Sequence, residues 1–178
     1  AINQSGGSFA NTGTETSGTG RTWTVTGGTL NQQGTLGGAG TLSLNSATAN
    51  LTTSFTNATT GLVLASATVN GPGTLTNATG QTLVAQSSTI AAALVNEGLL
   101  RLRAAITISG GLTTTSTSTL RMEGDGNCCA ATTTVSSSFT NNGLIELTAV
   151  TVPTSSQLVM SSGTLTNAVG ATIESAVG

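Results

Sequence analysis

Leu94-Val95-Asn96-Glu97-Gly98-Leu99-Leu100-Arg101-Leu102 is the stretch that decides the fold, because variants of it return along the whole chain. Each copy has an aliphatic residue or Phe, one free residue, Asn, a Gly shortly after, and a brief apolar run. Clear copies lead with Phe9/Asn11, Phe55/Asn57, Leu75/Asn77, Leu94/Asn96, Phe139/Asn141 and Leu165/Asn167, and degenerate ones with Leu30/Gln32 and Leu112/Thr114. The lead residues lie 21, 25, 20, 19, 18, 27 and 26 positions apart. A period of roughly 20 to 50 residues marks a solenoid, in which each unit stacks only on its neighbours. The fold expected is all-β, a parallel β-helix (β-solenoid) of about eight rungs, one for each lead residue. Residues 1–20, rich in Gly, Ser and Thr, read as a loose N-terminal rung or attachment segment, and residues 21–178 as the solenoid.

Composition points the same way. The 178 residues include 38 Thr and 24 Gly but only three Phe, one Trp, and no Tyr, His or Lys. So little aromatic volume cannot fill a wide interior, but it can fill a narrow coil to which each rung adds a few inward side chains. Thr, Val and Ile favour pleated surfaces, and Gly and Asn favour the turns between them. A net charge of -2 with no basic cluster argues against nucleic acid as a partner. The longest apolar run, Ile90 to Val95, is far below the ~20 residues that span a bilayer, so membrane insertion is not expected. Ala1 suits the first residue after signal cleavage, and a weakly charged Thr/Ser/Gly-rich solenoid suits an extracellular or cell-surface location.

Period-two alternation in Thr22–Thr26, Thr48–Thr52, Ala105–Ser109 and Thr132–Ser136 predicts strands with one buried face. Trp23, Val25, Leu51, Ile106, Ile108 and Val135 should point inward. Six residues after each Asn, or the Thr that replaces it, stand Val63, Leu83, Leu102, Leu120, Leu147 and Ile173. These predict one interior row, with Leu83, Leu102, Leu120 and Leu147 directly above one another, and Leu62, Arg101, Glu146 and their equivalents outside. The lead residues predict a further inward row from Phe9 to Leu165. Asn tolerates left-handed backbone and Gly takes positive φ freely, so both suit the turn between strands. Stacked in successive rungs, Asn57, Asn77, Asn96, Asn141 and Asn167 should form a structural ladder of side-chain amides. The three longest spacings, before Phe55, Phe139 and Leu165, predict loops thrown out of the coil.

Three phrases carry a resemblance: Phe139-Thr-Asn-Asn-Gly-Leu-Ile-Glu-Leu-Thr148, Gly163-Thr-Leu-Thr-Asn-Ala-Val-Gly-Ala-Thr-Ile173 and Leu94 to Leu102. They resemble repeats of large bacterial surface and secreted proteins of the autotransporter and filamentous-haemagglutinin adhesin class. The resemblance covers nearly all of the chain after Arg21. It implies a right-handed coil, export, and work as a stalk, adhesin or scaffold, and it carries over no catalytic residue.

No catalytic constellation, cofactor motif or metal-ligand spacing is present. Glu146 and Glu174 share an outward column one rung apart, but no aromatic platform accompanies them. Glu123 and Asp125 lack the further oxygen ligands of a calcium loop. The adjacent Cys128 and Cys129 leave open a pair of free thiols in a loop, a vicinal disulfide, or a redox or crosslinking role toward another chain. Outward residues Thr22, Thr24, Thr48, Thr68, Thr89, Thr107, Thr132 and Thr134 form a possible binding face for ice, a crystalline polymer, a glycan or another surface. End-to-end self-association into filaments is the partner expectation, with an adhesin-type or fibre-forming module as the function and ice or crystalline-polymer binding as the alternative.

Overall fold

The computed structural model describes residues 2–151 and 154–177, so Ala1 lies outside the described residues. Every regular element in it is a strand and every strand ladder is parallel. Nine strands, from Ile2–Ser5 to Thr172–Val177, form the first face of the coil, and eight, from Ser8–Asn11 to Ser156–Met160, form the second. The third face is discontinuous. Thr14–Thr16 pairs with Thr35–Gly37, then Phe55–Thr56, Leu75–Asn77, Leu94–Asn96 and Leu112–Thr114 form one sheet, and Phe139–Asn141 pairs with Leu165–Asn167. Each strand of the first two faces pairs with the third strand after it in the chain, which is the winding of a β-solenoid. The topology is consistent with a right-handed parallel β-helix, the sense that crossover connections between parallel strands adopt. Residues 2–16 stack as a rung in register, with Ile2 beside Trp23, Phe9 beside Leu30 and Thr14 beside Thr35.

The interior is mostly aliphatic. Trp23, Val25, Leu51, Ile106, Ile108 and Val135 are all buried as the alternation requires. The single row expected from the Asn offset is instead two rows one pleat apart. One runs Trp23, Leu42, Leu62, Leu83, Leu100, Leu120, Ile145, Ile173, and the other Val25, Leu44, Leu64, Ala85, Leu102, Met122, Leu147, Ser175. Leu83 and Leu120 therefore share a row that Leu102 and Leu147 do not. The cause is turn length. From Asn to the first inward residue is six positions at Asn77 and Asn167 but four at Asn96 and Asn141, so a fixed offset lands on alternate inward positions. At Asn57 the interval is five, which reverses the parity: Leu62 is buried and Val63 faces outward.

The row of lead residues also divides. Phe55, Leu75, Leu94 and Leu112 stack on the third face, as do Phe139 and Leu165, whereas Phe9 and Leu30 lie on the second face in line with Ala49 and Val69. The spacing of 25 before Phe55 thus marks a change of face rather than a loop. The other two long spacings hold irregular segments, at 125–130 and, among the described residues, at 150–151 and 154–155, both at the corner between the first and second faces. In four other rungs that corner is only one or two residues long and turns at one with left-handed backbone, Ser46, Ser66, Ser87 or Ala104, at φ between 49 and 56°.

The Gly of the repeat has two distinct roles, set by the same turn length. In the longer turns Gly80 and Gly170 take φ of 77 and 86° with open space around them. In the short turns Gly98 and Gly143 do not have positive φ. There a Cβ on Gly98 would lie 2.4 Å from the carbonyl oxygens of Ala78 and Gln81 in the rung below. Gly98→Ala is therefore expected to cost about 2 to 3 kcal/mol through backbone displacement. Gly80→Ala should cost only about 0.5 to 1 kcal/mol, the left-handed penalty less the recovered chain entropy. Equal losses in urea melts of the two variants would contradict this division.

Candidate interaction face

The second face presents the most regular surface of the rod. Its outward residues Ser8, Thr29, Thr48, Thr68, Thr89, Thr107, Thr134 and Val159 are successive register partners. Six of these in unbroken succession are Thr. Of the expected face residues, Thr48, Thr68, Thr89, Thr107 and Thr134 stand in this column. Thr132 lies on the same strand two positions earlier, beside Ala105, and accepts a hydrogen bond from Gln157 Nε2 at 2.9 Å. Thr22 and Thr24 belong to the first face, where Thr24 stands in a column that runs from Asn3 through Ser43 to Val63 and Val84. Alternation within each segment is legible in sequence, but which face a segment joins depends on how the coil closes. Thr29 opens the degenerate Leu30/Gln32 unit, whose sequence looks like a third-face turn, so its place in this column is not legible locally.

Two positions along from the Thr column stand Asn31, Asn50 and Asn70, also register partners. Asn70 Nδ2 donates to Asn50 Oδ1 at 3.0 Å, Asn50 Nδ2 to Asn31 Oδ1 at 2.8 Å, and Asn31 Nδ2 to Ser8 Oγ at 3.0 Å. This exterior amide ladder was not anticipated; the signal was the Thr-x-Asn triplet at 29–31, 48–50 and 68–70. Adjacent strands are about 4.8 Å apart and alternate residues about 6.6 Å apart, so the face is a grid of small, neutral hydrogen-bonding groups.

Inside the coil, amides of successive rungs hydrogen-bond in a ladder that is interrupted once. Asn57 Nδ2 donates to Asn77 Oδ1 at 2.8 Å, and Asn77 Nδ2 to Asn96 Oδ1 at 2.7 Å. Beyond Thr114, where no amide is available, Asn141 Nδ2 donates to Asn167 Oδ1 at 2.8 Å. Asn57, Asn77, Asn96 and Asn141 are buried and Asn167 is exposed.

Charge is gathered on the first face. Its outward column continues Arg101, Arg121, Glu146, Glu174. Arg121 Nε donates to Glu146 Oε2 at 2.7 Å, so Glu146 is paired with a cation on one side while Glu174 stands beside it on the other. Glu123, its side chain only 8% exposed, accepts three hydrogen bonds from Arg101, two from Nη2 at 2.7 and 2.8 Å and one from Nε at 3.1 Å, and one from Arg103 Nε at 2.9 Å. Burial by itself raises the Glu123 pKa, but hydrogen bonds from Arg101 and Arg103 and their charges outweigh it and hold the carboxyl below its ordinary value. Glu123 is thus turned toward the arginines. Asp125 closes the following loop instead, its Oδ1 accepting from Asn127 N at 2.9 Å and from Thr151 Oγ1 at 3.4 Å. In that loop Cys128 and Cys129 are joined by a disulfide. Of the alternatives the sequence left open, the free-thiol reading is therefore set aside.

Comparison with family models, curated proteins and solved structures finds no match.

Proposed function

We propose that this chain is a non-catalytic, exported structural β-solenoid: a rod module of the adhesin or fibre-forming kind that works by surface contact. The observation that carries this reading is the register of the second face, where six Thr in succession flank an amide ladder. Cross-rung hydrogen bonds already tie the Asn side chains together, so a ligand meets a face that is ordered before contact, and little side-chain entropy is lost on binding. Neutral groups of this kind bind weakly one by one, and a grid of them favours an extended, repeating partner over a single small molecule. The likeness of the repeats to those of bacterial surface proteins supports export and a stalk or adhesin role. The rod lengthens by adding rungs, whether further chain supplies them or another copy stacks end to end.

A second reading, ice or a crystalline polymer as the partner, is favoured by the two-dimensional regularity of the Thr and Asn columns. Electron micrographs of the purified protein should show thin rods or filaments; compact globular particles would refute the structural reading. Thermal hysteresis and co-sedimentation with crystalline cellulose or chitin test the face. Thr89→Arg, outward in mid-column, should abolish such binding while leaving the melting temperature nearly unchanged. Binding that survives this substitution removes the second face from consideration.

A further inference from the structure

The loop at 125–130 carries chemistry that the structural reading does not use. The disulfide joins adjacent residues. Cys128 is exposed and Cys129 partly so, and among the described residues no free cysteine accompanies them. The loop is fastened at its base, where Asp125 N donates to Cys129 O at 2.9 Å and Cys128 N to Asp125 O at 3.0 Å. It leans back across the first face until Gln86 Nε2 stands 3.7 Å from Cys128 Sγ. Gln86 is the register partner of Arg103, whose guanidinium is partly exposed and is hydrogen-bonded to Glu123 through Nε. The two sulfurs therefore differ. Cys128 has an amide donor against it, on a strand next to that of Arg103; among the described residues no hydrogen bond reaches the sulfur of Cys129.

From this asymmetry we propose that Cys128–Cys129 is a thiol–disulfide exchange site that captures an external thiol. The incoming thiolate attacks Cys129 Sγ and forms a new S–S bond there. The Cys128–Cys129 bond breaks, and Cys128 leaves as a thiolate that the Gln86 amide stabilises before it takes up a proton. The electron pair of the incoming thiolate makes the new bond and the pair of the old bond leaves on Cys128 Sγ, so one disulfide replaces another and no oxidant or reductant is needed. A better-stabilised leaving thiolate departs faster, which is what the placement of Gln86 supplies. Because Cys128 stays next to the mixed disulfide, it can attack Cys129 Sγ in turn, expel the captured thiol and close the ring again, so capture is reversible. The substrate class is a thiol, either a small molecule or a cysteine of another polypeptide.

The test mixes the native chain with reduced glutathione in mildly alkaline buffer, quenches early time points with acid, and locates the adduct by fragment-ion mass spectrometry. One adduct on Cys129 with one alkylatable thiol on Cys128 is expected. Gln86→Leu should slow capture about two- to threefold, the part of one hydrogen bond that reaches the leaving group, with circular dichroism unchanged. A parallel series with a reduced single-cysteine peptide distinguishes the two thiol sources, and capture of either supports the site. First adducts on Cys128, a Gln86→Leu rate equal to wild type, or reaction only after unfolding in urea would each overturn it.

Discussion

Asn77→Ala is expected to destabilise the chain by about 3 to 5 kcal/mol, because it strands several buried polar groups at once. Asn77 is fully buried, accepts from Asn57 Nδ2, and donates to Asn96 Oδ1 and to the Leu99 carbonyl at 3.0 Å. Removing its amide leaves one donor and two acceptors inside an apolar coil with no water to replace their partner. Asn167→Ala is the control. Asn167 ends the second ladder segment and is exposed, so water can substitute there, and a loss under about 1 kcal/mol is expected. Chemical denaturation of both variants measures the difference, and similar losses would show that the interior ladder is not a source of cohesion. The break at Thr114 shows how the chain tolerates a missing amide: its hydroxyl donates to the Thr140 carbonyl and accepts from Asn142 N, both at 2.9 Å. Asn77→Thr should accordingly cost less than Asn77→Ala.

Glu123→Gln is expected to cost about 2 to 3 kcal/mol at neutral pH, since a nearly buried carboxylate between two guanidinium groups is replaced by a neutral amide. Arg101 and Arg103 keep side chains about 30% exposed, so water relieves part of their loss and places the figure below that of a fully enclosed pair. The pH dependence follows from the direction of the Glu123 shift. Its carboxyl holds its proton less tightly in the folded chain than in the unfolded one, where the ordinary value is 4.5, so protonation favours unfolding. The contribution is complete above that value and is lost as pH falls through the depressed folded value. The stability gap between wild type and Glu123→Gln should therefore be constant near neutrality and shrink on acidification below about pH 4.5. A gap independent of pH would mean that Glu123 acts by shape rather than by charge.

How much of this was legible beforehand differs from one feature to the next. The buried ladder could be read from the recurrence of Asn two residues after an apolar lead, because stacking in a solenoid brings equivalent residues of successive units together. The ion pairs were harder. Arg121 stands between Arg101 and Glu146 in the outward column, yet the degenerate unit at Leu112 weakened the alignment that would have placed it there. Glu123 has acidic Asp125 as its near neighbour in sequence but its partners lie 20 and 22 residues back, in the preceding rung. The exterior Asn ladder and the place of Thr29 were hidden because the first two units look like the later ones but sit on another face.

The sequence by itself determined that the chain is a β-solenoid, which segments are strands, and, except in Gly61–Ala65 where the turn length reverses it, which parity of a strand is buried, because period-two alternation and the repeat are properties of local order. Only the tertiary structure decided which inward residues stack on which, which face each Thr joins, and why Gly98 must be Gly. Those depend on the length of every turn: one residue more or less reverses a strand's faces, two move a side chain to the next row, and neither leaves a mark on the composition of the strand itself. The pairing of the two cysteines and the side from which Gln86 meets them were settled in the same way, by where the corner loop comes to rest on the finished coil.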